Sequence, residues 1–133
     1  MKEGRTVLQA KRFGIYSCTA DTTLLDAARR MVEEDISALV VVDEEGYLAG
    51  IVSRTDMLRA YLAHDDWAEQ PIHEHMTRQV VTVSVDEQLS TVANLLLERN
   101  IHRLVVVRQE EGKPRPVAVI SDADLMYHMV RDA

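Results

Sequence analysis

The chain has 133 residues, of which 47% are hydrophobic and only 5% aromatic. This length fits one compact module or two small interlocked ones, and it excludes two large domains. The 22 acidic residues outnumber the 15 basic ones, which gives a net charge of −7. This balance argues against a nucleic-acid partner, because duplex binding needs a positive face.

Neither a membrane span nor a secretion signal is visible in the sequence. No apolar run approaches the roughly 20 residues that a membrane helix needs, and the N-terminal MKEGRTVLQAKRFG lacks the apolar core of a signal peptide. The single cysteine, Cys18, excludes an internal disulfide and suits a small core residue in a reducing compartment. We therefore expect a cytoplasmic protein with no membrane partner.

The chain contains an internal repeat. At a constant shift of 65 residues, residues 19–31 match residues 84–96, and ISALVVV (residues 36–42) matches IHRLVVV (residues 101–107). The shift then becomes 68, because the turn RQEEGKPRP is three residues longer than its counterpart in the first copy. The two copies are therefore predicted to share one fold.

Each copy has the pattern of a β-α-β-β-α unit. A short extended piece precedes an amphipathic helix, which is followed by an apolar strand, a turn with Gly46 or Gly112, and a second strand (residues 48–52 or 116–120). A strand that is apolar on both faces is predicted to be covered on both sides. A unit of about 60 residues buries little surface, so two copies are expected to pack sheet to sheet with pseudo-two-fold symmetry.

The first helix of each copy is predicted from its caps and its spacing. In the first copy Asp21 or Thr22 can cap the helix and Asp35 ends it; in the second, Asp86 can cap it and Asn100 ends it. The apolar positions expected on the inner face are Leu24, Ala28, Met31 and Val32 in the first copy, and Leu89, Val92, Ala93 and Leu96 in the second.

We predict a mixed α/β fold in two halves. Residues 1–76 hold the first repeat with the N-terminal segment and the connector, and residues 77–133 hold the second repeat. The connector, residues 59–76, is broken at Pro71. The last helix, from about Asp122, carries more apolar side chains than one small module can cover, so we expect a homodimer with a two-fold interface.

The two strand-to-helix junctions read GIVSRTDML (residues 50–58) and AVISDADLM (residues 118–126), so each places an Asp three residues after a Ser. One interpretation is a capping box, in which both side chains satisfy free amides of the first helical turn and no ligand is needed. The other is a nucleotide site, because a helix N-terminus and a hydroxyl suit a phosphate while an ionised Asp can accept both ribose hydroxyls.

The repeated segments resemble a known family. The order TADTTLLDAARRMVEEDISALVVVDEEGYLAGIVSRTDML, and then MTRQVVTVSVDEQLSTVANLLLERNIHRLVVV with VISDADLM, is similar to a tandem pair of CBS domains, a regulatory module also called a Bateman module. The resemblance extends from about Lys11 to the end of the chain. Residues 50–56, GIVSRTD, satisfy the family pattern of Gly, two apolar residues, Ser or Thr, two variable residues and Asp.

The resemblance implies two ligand clefts between the copies. One would use Ser53, Thr55 and Asp56, where Arg54 could also reach a phosphate. The residues that would form the other are Ser121 and Asp124, with Thr22 and Ala27 from the first copy lining it. His102 and Arg103 match family positions at which cations face nucleotide phosphates.

The two junctions are not equal, because Ala118 replaces the pattern's glycine and Ala123 replaces the counterpart of Thr55. Glu87, the counterpart of Thr22, puts an acid near the Asp56 cleft. We expect one cleft to dominate, with Asp56 favoured.

The resemblance implies a regulatory module that binds an adenine nucleotide (AMP, ADP or ATP) or a ligand like S-adenosylmethionine, requires no cofactor and acts on an unknown effector protein in trans. The alternative is a constitutive dimeric scaffold for protein interactions, whose Ser-x-x-Asp turns are only caps. We expect no enzyme, because the sequence has no nucleophile motif and no Gly-rich phosphate loop.

A histidine cluster in the connector raises the question of a metal site. His73 and His75 lie two residues apart, with Glu74 between them and His64 nearby. Side chains at this spacing share a face only on a strand, so a metal site is not expected.

Overall fold

The computed structural model describes residues 4–10 and 14–133, which divide into two compact units. The first-repeat unit is Tyr16–Val80. The second-repeat unit is Val81–Ala133 together with the described part of Met1–Ile15, which includes the short helix α1 (Val7–Ala10). The N-terminal segment, which the sequence assigned to the first repeat, thus lies with the second.

The first-repeat unit is a three-stranded sheet with two helices. Its elements in order are β1 (Ser17–Thr19), α2 (Leu24–Glu33), β2 (Ala38–Val42), β3 (Leu48–Ser53) and α3 (Arg54–Ala63). Strand β2 is central, parallel to β1 and antiparallel to β3. The connector adds two 3₁₀ turns, Trp67–Glu69 and Ile72–Glu74, and Pro71 immediately precedes the second.

The second-repeat unit has the same topology. Its elements are β4 (Thr82–Ser84), α4 (Leu89–Glu98), β5 (Arg103–Glu110), β6 (Lys113–Ser121) and α5 (Asp122–Asp132). Strand β5 is central, parallel to β4 and antiparallel to β6. The predicted β-α-β-β-α order of both copies and the mixed α/β class are confirmed.

Residues with positive φ lie at the predicted turns. Gly46 (φ 88°) and Gly112 (φ 77°) sit in the β2–β3 and β5–β6 turns. Asp35 (φ 50°) and Asn100 (φ 52°) follow α2 and α4 in the left-handed conformation, which short polar side chains tolerate. Local chemistry therefore ends these helices where the sequence predicted.

The helix starts differ from the prediction. Thr23 caps α2, because its side chain accepts a hydrogen bond from Asp26 N–H. Thr22 does not cap the helix; its hydroxyl oxygen accepts a hydrogen bond from Thr19 N–H in the turn that follows β1. In the second copy Gln88, not Asp86, is the N-cap residue, and its side chain forms no capping bond.

The hydrophobic cores follow one stripe on each helix. In α2 the buried residues are Leu24, Ala27 and Met31. Val32 was predicted to be buried but is 81% exposed, because it lies about 100° around the helix from the centre of that stripe. On the central strands, Val40 and Val105 are fully buried although they point away from Leu39 and Leu104, so the prediction of strands covered on both faces is confirmed.

We predict that Gly50→Ala destabilises the protein. A Cβ at this position would lie 2.8 Å from the Thr77 carbonyl oxygen and 2.8 Å from Met76 Sδ. That carbonyl accepts from Ile51 N–H in a β-bridge, so it cannot retreat without losing the bond. Overpacking of this kind costs roughly 1–3 kcal/mol, which thermal unfolding would record as a lower Tm.

The matched control is Ala118→Gly, at the equivalent position of the second-repeat unit. There the loss of a methyl and the added chain entropy should cost about 1 kcal/mol. A Tm for Gly50→Ala equal to that of the unmodified protein would contradict the close packing of residues 76–77 on β3.

Candidate functional site

The first candidate site is the junction between β3 and α3. Asp56 Oδ2 accepts from Ser53 N–H (2.8 Å) and from the Ser53 hydroxyl (3.0 Å). In return, Ser53 Oγ accepts from Asp56 N–H at 3.4 Å. This is a complete capping box, and it forms because the serine is still extended when the chain turns into the helix.

The second candidate site, between β6 and α5, repeats this geometry. Asp124 Oδ2 accepts from Ser121 N–H (2.9 Å) and from the Ser121 hydroxyl (3.2 Å), and Ser121 Oγ accepts from Asp124 N–H (3.3 Å). The capping interpretation of Ser-x-x-Asp is therefore confirmed at both junctions.

The capping boxes limit what each turn can offer to a ligand. A serine hydroxyl carries one proton, and in both boxes that proton is donated to the aspartate, so in this geometry it does not serve a phosphate. Oδ1 of each aspartate lies outside the capping bonds. Because a carboxylate oxygen has two lone pairs, a sugar hydroxyl could be accepted without breaking the cap.

The first-turn amides distinguish the two junctions. Arg54 N–H donates to Ser37 O, and Asp122 N–H donates to His102 O. At the next position, Ala123 N–H donates to the side chain of Asp122 (2.8 Å). Within residues 4–10 and 14–133, Thr55 N–H meets no such side-chain acceptor, so the first turn of α3 keeps an amide that an anion could use.

Charges also differ between the junctions. At the first, Arg54 lies 3.5 Å from Asp35 Oδ1 and Arg59 lies 3.6 Å from Asp56 Oδ1. At the second, the first residue of the helix is Asp122, and its Oδ2 is 3.0 Å from His102 Nδ1. The sequence singled out His102 but missed Asp122, although this first acid of SDAD (residues 121–124) was a visible signal.

Of the remaining predicted site residues, Thr22 and Ala27 lie in the first-repeat unit and Arg103 lies in the second-repeat unit. Ala27 is almost fully buried in the core of the first-repeat unit. Thr22 is half-buried in the loop after β1, and Arg103 is half-buried opposite Ser121 in the β5–β6 ladder.

An open groove of about 460 Å³ lies along α2 and α3 and includes Arg54, the residue that follows Ser53 of the first capping box. It is mostly apolar, with one acid and one arginine at its edge. Its lining residues are Ala28, Met31, Val32, Asp35, Arg54, Met57 and Leu58.

The histidines of the connector make contacts with each other and with an amide. The rings of His64 and His75 are 5.6 Å apart and edge-on, and His75 Nε2 lies 2.5 Å from Gln70 Oε1. In the described part of the chain, no group of three or more His, Cys, Asp or Glu side chains could hold a metal ion. No described helix is long and apolar enough to cross a membrane.

We predict that the pKa of Asp122 lies below its ordinary value of 3.8, because the His102 ring donates a hydrogen bond to this exposed carboxylate. A lowered folded pKa means that the stabilising contact is present above pH 3.8 and is lost as the pH falls through the folded value. His102→Ala should raise the pKa of Asp122, which an NMR titration of the carboxyl carbon would measure.

Asp21 is the matched control for this titration. Its pKa is also lowered, but by the hydroxyl of Thr19, so His102→Ala should leave it unchanged. If the titration of Asp122 does not move in the variant, the His102–Asp122 contact is not formed in solution.

Comparison with known proteins gives a family match. The model of the CBS domain matches residues 11–63 and 72–131. The transcriptional repressor CcpN of Bacillus subtilis is 30% identical over 93 residues, which are 68% of this chain and 44% of CcpN. An uncharacterized 17.7 kDa protein of Acidianus ambivalens is 25% identical over 81% of this chain and 64% of its own. The chain thus spans less than two thirds of the length of either relative.

Solved structures share the fold of nearly the whole chain. The CBS domain pair of protein MJ0100, crystallised with 5′-methylthioadenosine and S-adenosyl-L-methionine, is 25% identical and aligns with a TM-score of 0.85 over 97% of this chain and 98% of that one. CBSX2 in complex with AMP is 24% identical, with a TM-score of 0.82 over 96% and 98% of the two chains. At that identity, the second likeness shows the fold alone.

Proposed function

This chain belongs to the CBS domain family as a tandem pair, and we propose that it is a regulatory module that binds an adenine nucleotide or a related adenosyl compound and signals to a partner protein. The proposed ligand sites include Ser53, Thr55 and Asp56 at one junction and Ser121 and Asp124 at the other. By resemblance we also propose Thr22 and Ala27 as ligand contacts, and Ala27 would make its contact through the backbone because its methyl is buried in the core.

The observation that carries this proposal is the likeness of nearly the whole chain to the MJ0100 domain pair, whose two ligands are both adenosyl compounds. Such compounds share an adenine ring and a ribose diol. The aspartate oxygens outside the capping bonds are acceptors of the kind that a diol needs.

A phosphorylated ligand is best supported at the Asp56 junction. The first turn of α3 offers the Thr55 amide, and the same helix carries two exposed cations, Arg54 and Arg59. At the other junction the side chain of Asp122 takes the corresponding amide and adds a negative charge, which His102 and Arg103 offset only in part. We therefore propose AMP, ADP or ATP for the Asp56 site.

We predict that millimolar AMP or ATP raises the Tm of the protein, because a ligand bound only by the native state stabilises it by mass action, by about 2.7 kcal/mol at 100 times its Kd. 5′-Methylthioadenosine and S-adenosylmethionine complete the panel. Asp56→Asn should reduce the shift with AMP and ATP more than Asp124→Asn does, since it removes a charged acceptor at the site with the free amide.

Asp43→Asn is the control for effects on stability alone. Asp43 Oδ1 accepts from Glu45 N–H and Tyr47 N–H in the β2–β3 turn, away from both junctions. This variant should lower the Tm without ligand and keep the ligand-induced shift. No shift with any of the four compounds, or an unchanged shift in the double variant Asp56→Asn, Asp124→Asn, would contradict the proposal.

A homodimer is the second part of the proposal. Equivalent positions in the two repeats expose large apolar side chains: Val32 and Leu97 are each 81% exposed, and Leu58 and Met126 are 64% and 62% exposed. The groove beside α2 and α3 opens on the first of these faces. Apolar faces repeated in this way favour burial against a second copy of the chain.

We predict that the protein sediments as a dimer at micromolar concentration and that Leu58→Glu shifts it toward the monomer, because a buried unpaired carboxylate is strongly unfavourable in such an interface. Leu8→Glu is the control, since Leu8 is also exposed but lies on the N-terminal segment. A monomer at high micromolar concentration, or equal dissociation by both variants, would remove the dimer from the proposal.

The alternative function is a constitutive dimeric scaffold. The complete capping boxes favour it, because they give both Ser-Asp pairs a structural role that needs no ligand. The same two measurements separate the alternatives: a dimer that no adenosyl compound stabilises is the expected result for the scaffold.

A further inference from the structure

Two short segments hold equivalent positions on the two units. The sequence shift of 65 that relates the repeats also places Arg5 on Gln70, Val7 on Ile72 and Leu8 on His73, although no residue is identical there. Residues 5–8, which lead toward β1 of the first repeat, lie in the second-repeat unit. Residues 70–73, which lead toward β4 of the second repeat, lie in the first-repeat unit.

The backbone contacts of the two segments match bond for bond. Leu89 N–H donates to Arg5 O (3.0 Å), just as Leu24 N–H donates to Gln70 O (2.9 Å). Val7 N–H and Leu8 N–H donate to the carbonyls of residues 87 and 85 (both 2.9 Å). Ile72 N–H and His73 N–H donate to the carbonyls of residues 22 and 20 (2.9 and 3.0 Å), which are the same positions 65 residues earlier.

Each segment also fills the core of the unit that receives it. Val7 is fully buried in the cluster that contains Leu89 and Val92. Ile72 is fully buried in the cluster that contains Leu24 and Ala27. The bonds and the buried side chain together close the loop before α4 or α2. We call residues 5–8 and residues 70–73 straps, because each packs onto the unit that holds the other repeat.

The side chain that anchors the strap differs between the units. Arg5 Nη1 lies 3.1 Å from His128 Nδ1, and Arg5 Nη2 lies 3.1 Å from Asp132 Oδ1, both on α5 and both largely buried. The positions equivalent to His128 and Asp132 are Ala60 and His64. Gln70, the counterpart of Arg5, bonds instead to Asp66 and His75, four and five residues away.

We propose that residues 5–8 form a latch on the second-repeat unit, and that the contact of Arg5 with His128 and Asp132 controls whether the latch is seated. When it is released, the loop of residues 84–88 and the start of α4 lose their closing bonds while the first-repeat unit is unaffected. Since a guanidinium only donates, the latch requires His128 Nδ1 to be an acceptor. The loop of residues 84–88 is the counterpart of the loop that carries Thr22, a proposed ligand contact. The latch would therefore regulate a loop of the proposed ligand-binding module. Only this connection to ligand binding rests on the proposed function.

The test is amide hydrogen exchange of the full chain with Arg5→Met, which removes the polar contacts and keeps most of the apolar stem. The amides of Val7, Leu8 and Leu89 should exchange about tenfold faster, the factor expected when a hydrogen bond to a charged group is lost. The amides of Leu24 and Ile72 should be unchanged. Arg5→Lys, which keeps the charge without the two-pronged contact, should give an intermediate increase.

Ile72→Val is the reciprocal variant. It should speed exchange at Leu24, Ile72 and His73 and leave Val7 and Leu89 unchanged. Faster exchange in the first-repeat unit on Arg5→Met, equal acceleration in both units, or no acceleration at Val7 and Leu8 would each overturn the latch. None of these outcomes depends on a nucleotide, so a negative result leaves the ligand-binding proposal to its own measurement.

Discussion

Each strand-to-helix junction is closed by a carboxylate that bonds to the serine three residues before it, and both the fold and the proposed site depend on this contact. The Asp56 and Asp124 carboxylates fix where α3 and α5 begin and how they leave their sheets. A cap of this kind contributes about 1 kcal/mol. It also holds each aspartate in one orientation through Oδ2, so in the proposed sites the acceptor would be positioned before a ligand binds.

The same motif contains a glycine whose role lies in the chain and not in a ligand. Gly50 fits the family pattern of the proposed ligand-binding turn. In the structure, Met76 and the Thr77 carbonyl occupy the space beside it. Ala118, fully buried at the equivalent position of β6, shows that the junction itself tolerates a methyl group. A motif position can therefore match a family for reasons of packing alone.

The sequence predicted what local chemistry decides. Apolar strands, the glycines of the two turns, the left-handed Asn100 and the serine caps each depend on a few neighbouring residues, and the repeat confirmed each one twice. The error at Val32 has a different cause, because spacings of three and four leave two possible stripes on α2 and only the packing of Ala27 selects between them. The straps escaped prediction because each involves residues far apart in the sequence, such as Arg5 and Leu89 in one unit and Leu24 and Gln70 in the other. The repeat shift extended to Val7 and Ile72 was the signal that could have found them.

The two units have the same backbone topology but carry different charged side chains at equivalent positions. Arg54 and Asp122 begin equivalent helices with opposite charge, and Ala60 and His128 fill equivalent inward positions. These differences cost the fold little, because the first pair is exposed and the second is satisfied by Arg5. They do change how each strap is held, since Arg5 bonds to another helix, α5, whereas its counterpart Gln70 bonds to residues of its own connector.

A regulatory module needs contacts that differ between two arrangements, because a ligand shifts an equilibrium only by its differential affinity for the two states. The capping boxes are not such a contact in our proposal, because a hydroxyl accepted by Oδ1 would leave their bonds to Oδ2 in place. We propose the straps for this role, because their carbonyl partners lie in the loops before α2 and α4, and the first of these loops carries Thr22. A ligand that orders either loop would strengthen the seat of the strap, and a seated strap would favour the ligand by the same free energy. Among the described residues, the strap of residues 5–8 is tied through Arg5 to α5 while Gln70 bonds within the connector, so we expect the proposed change to begin in the second-repeat unit.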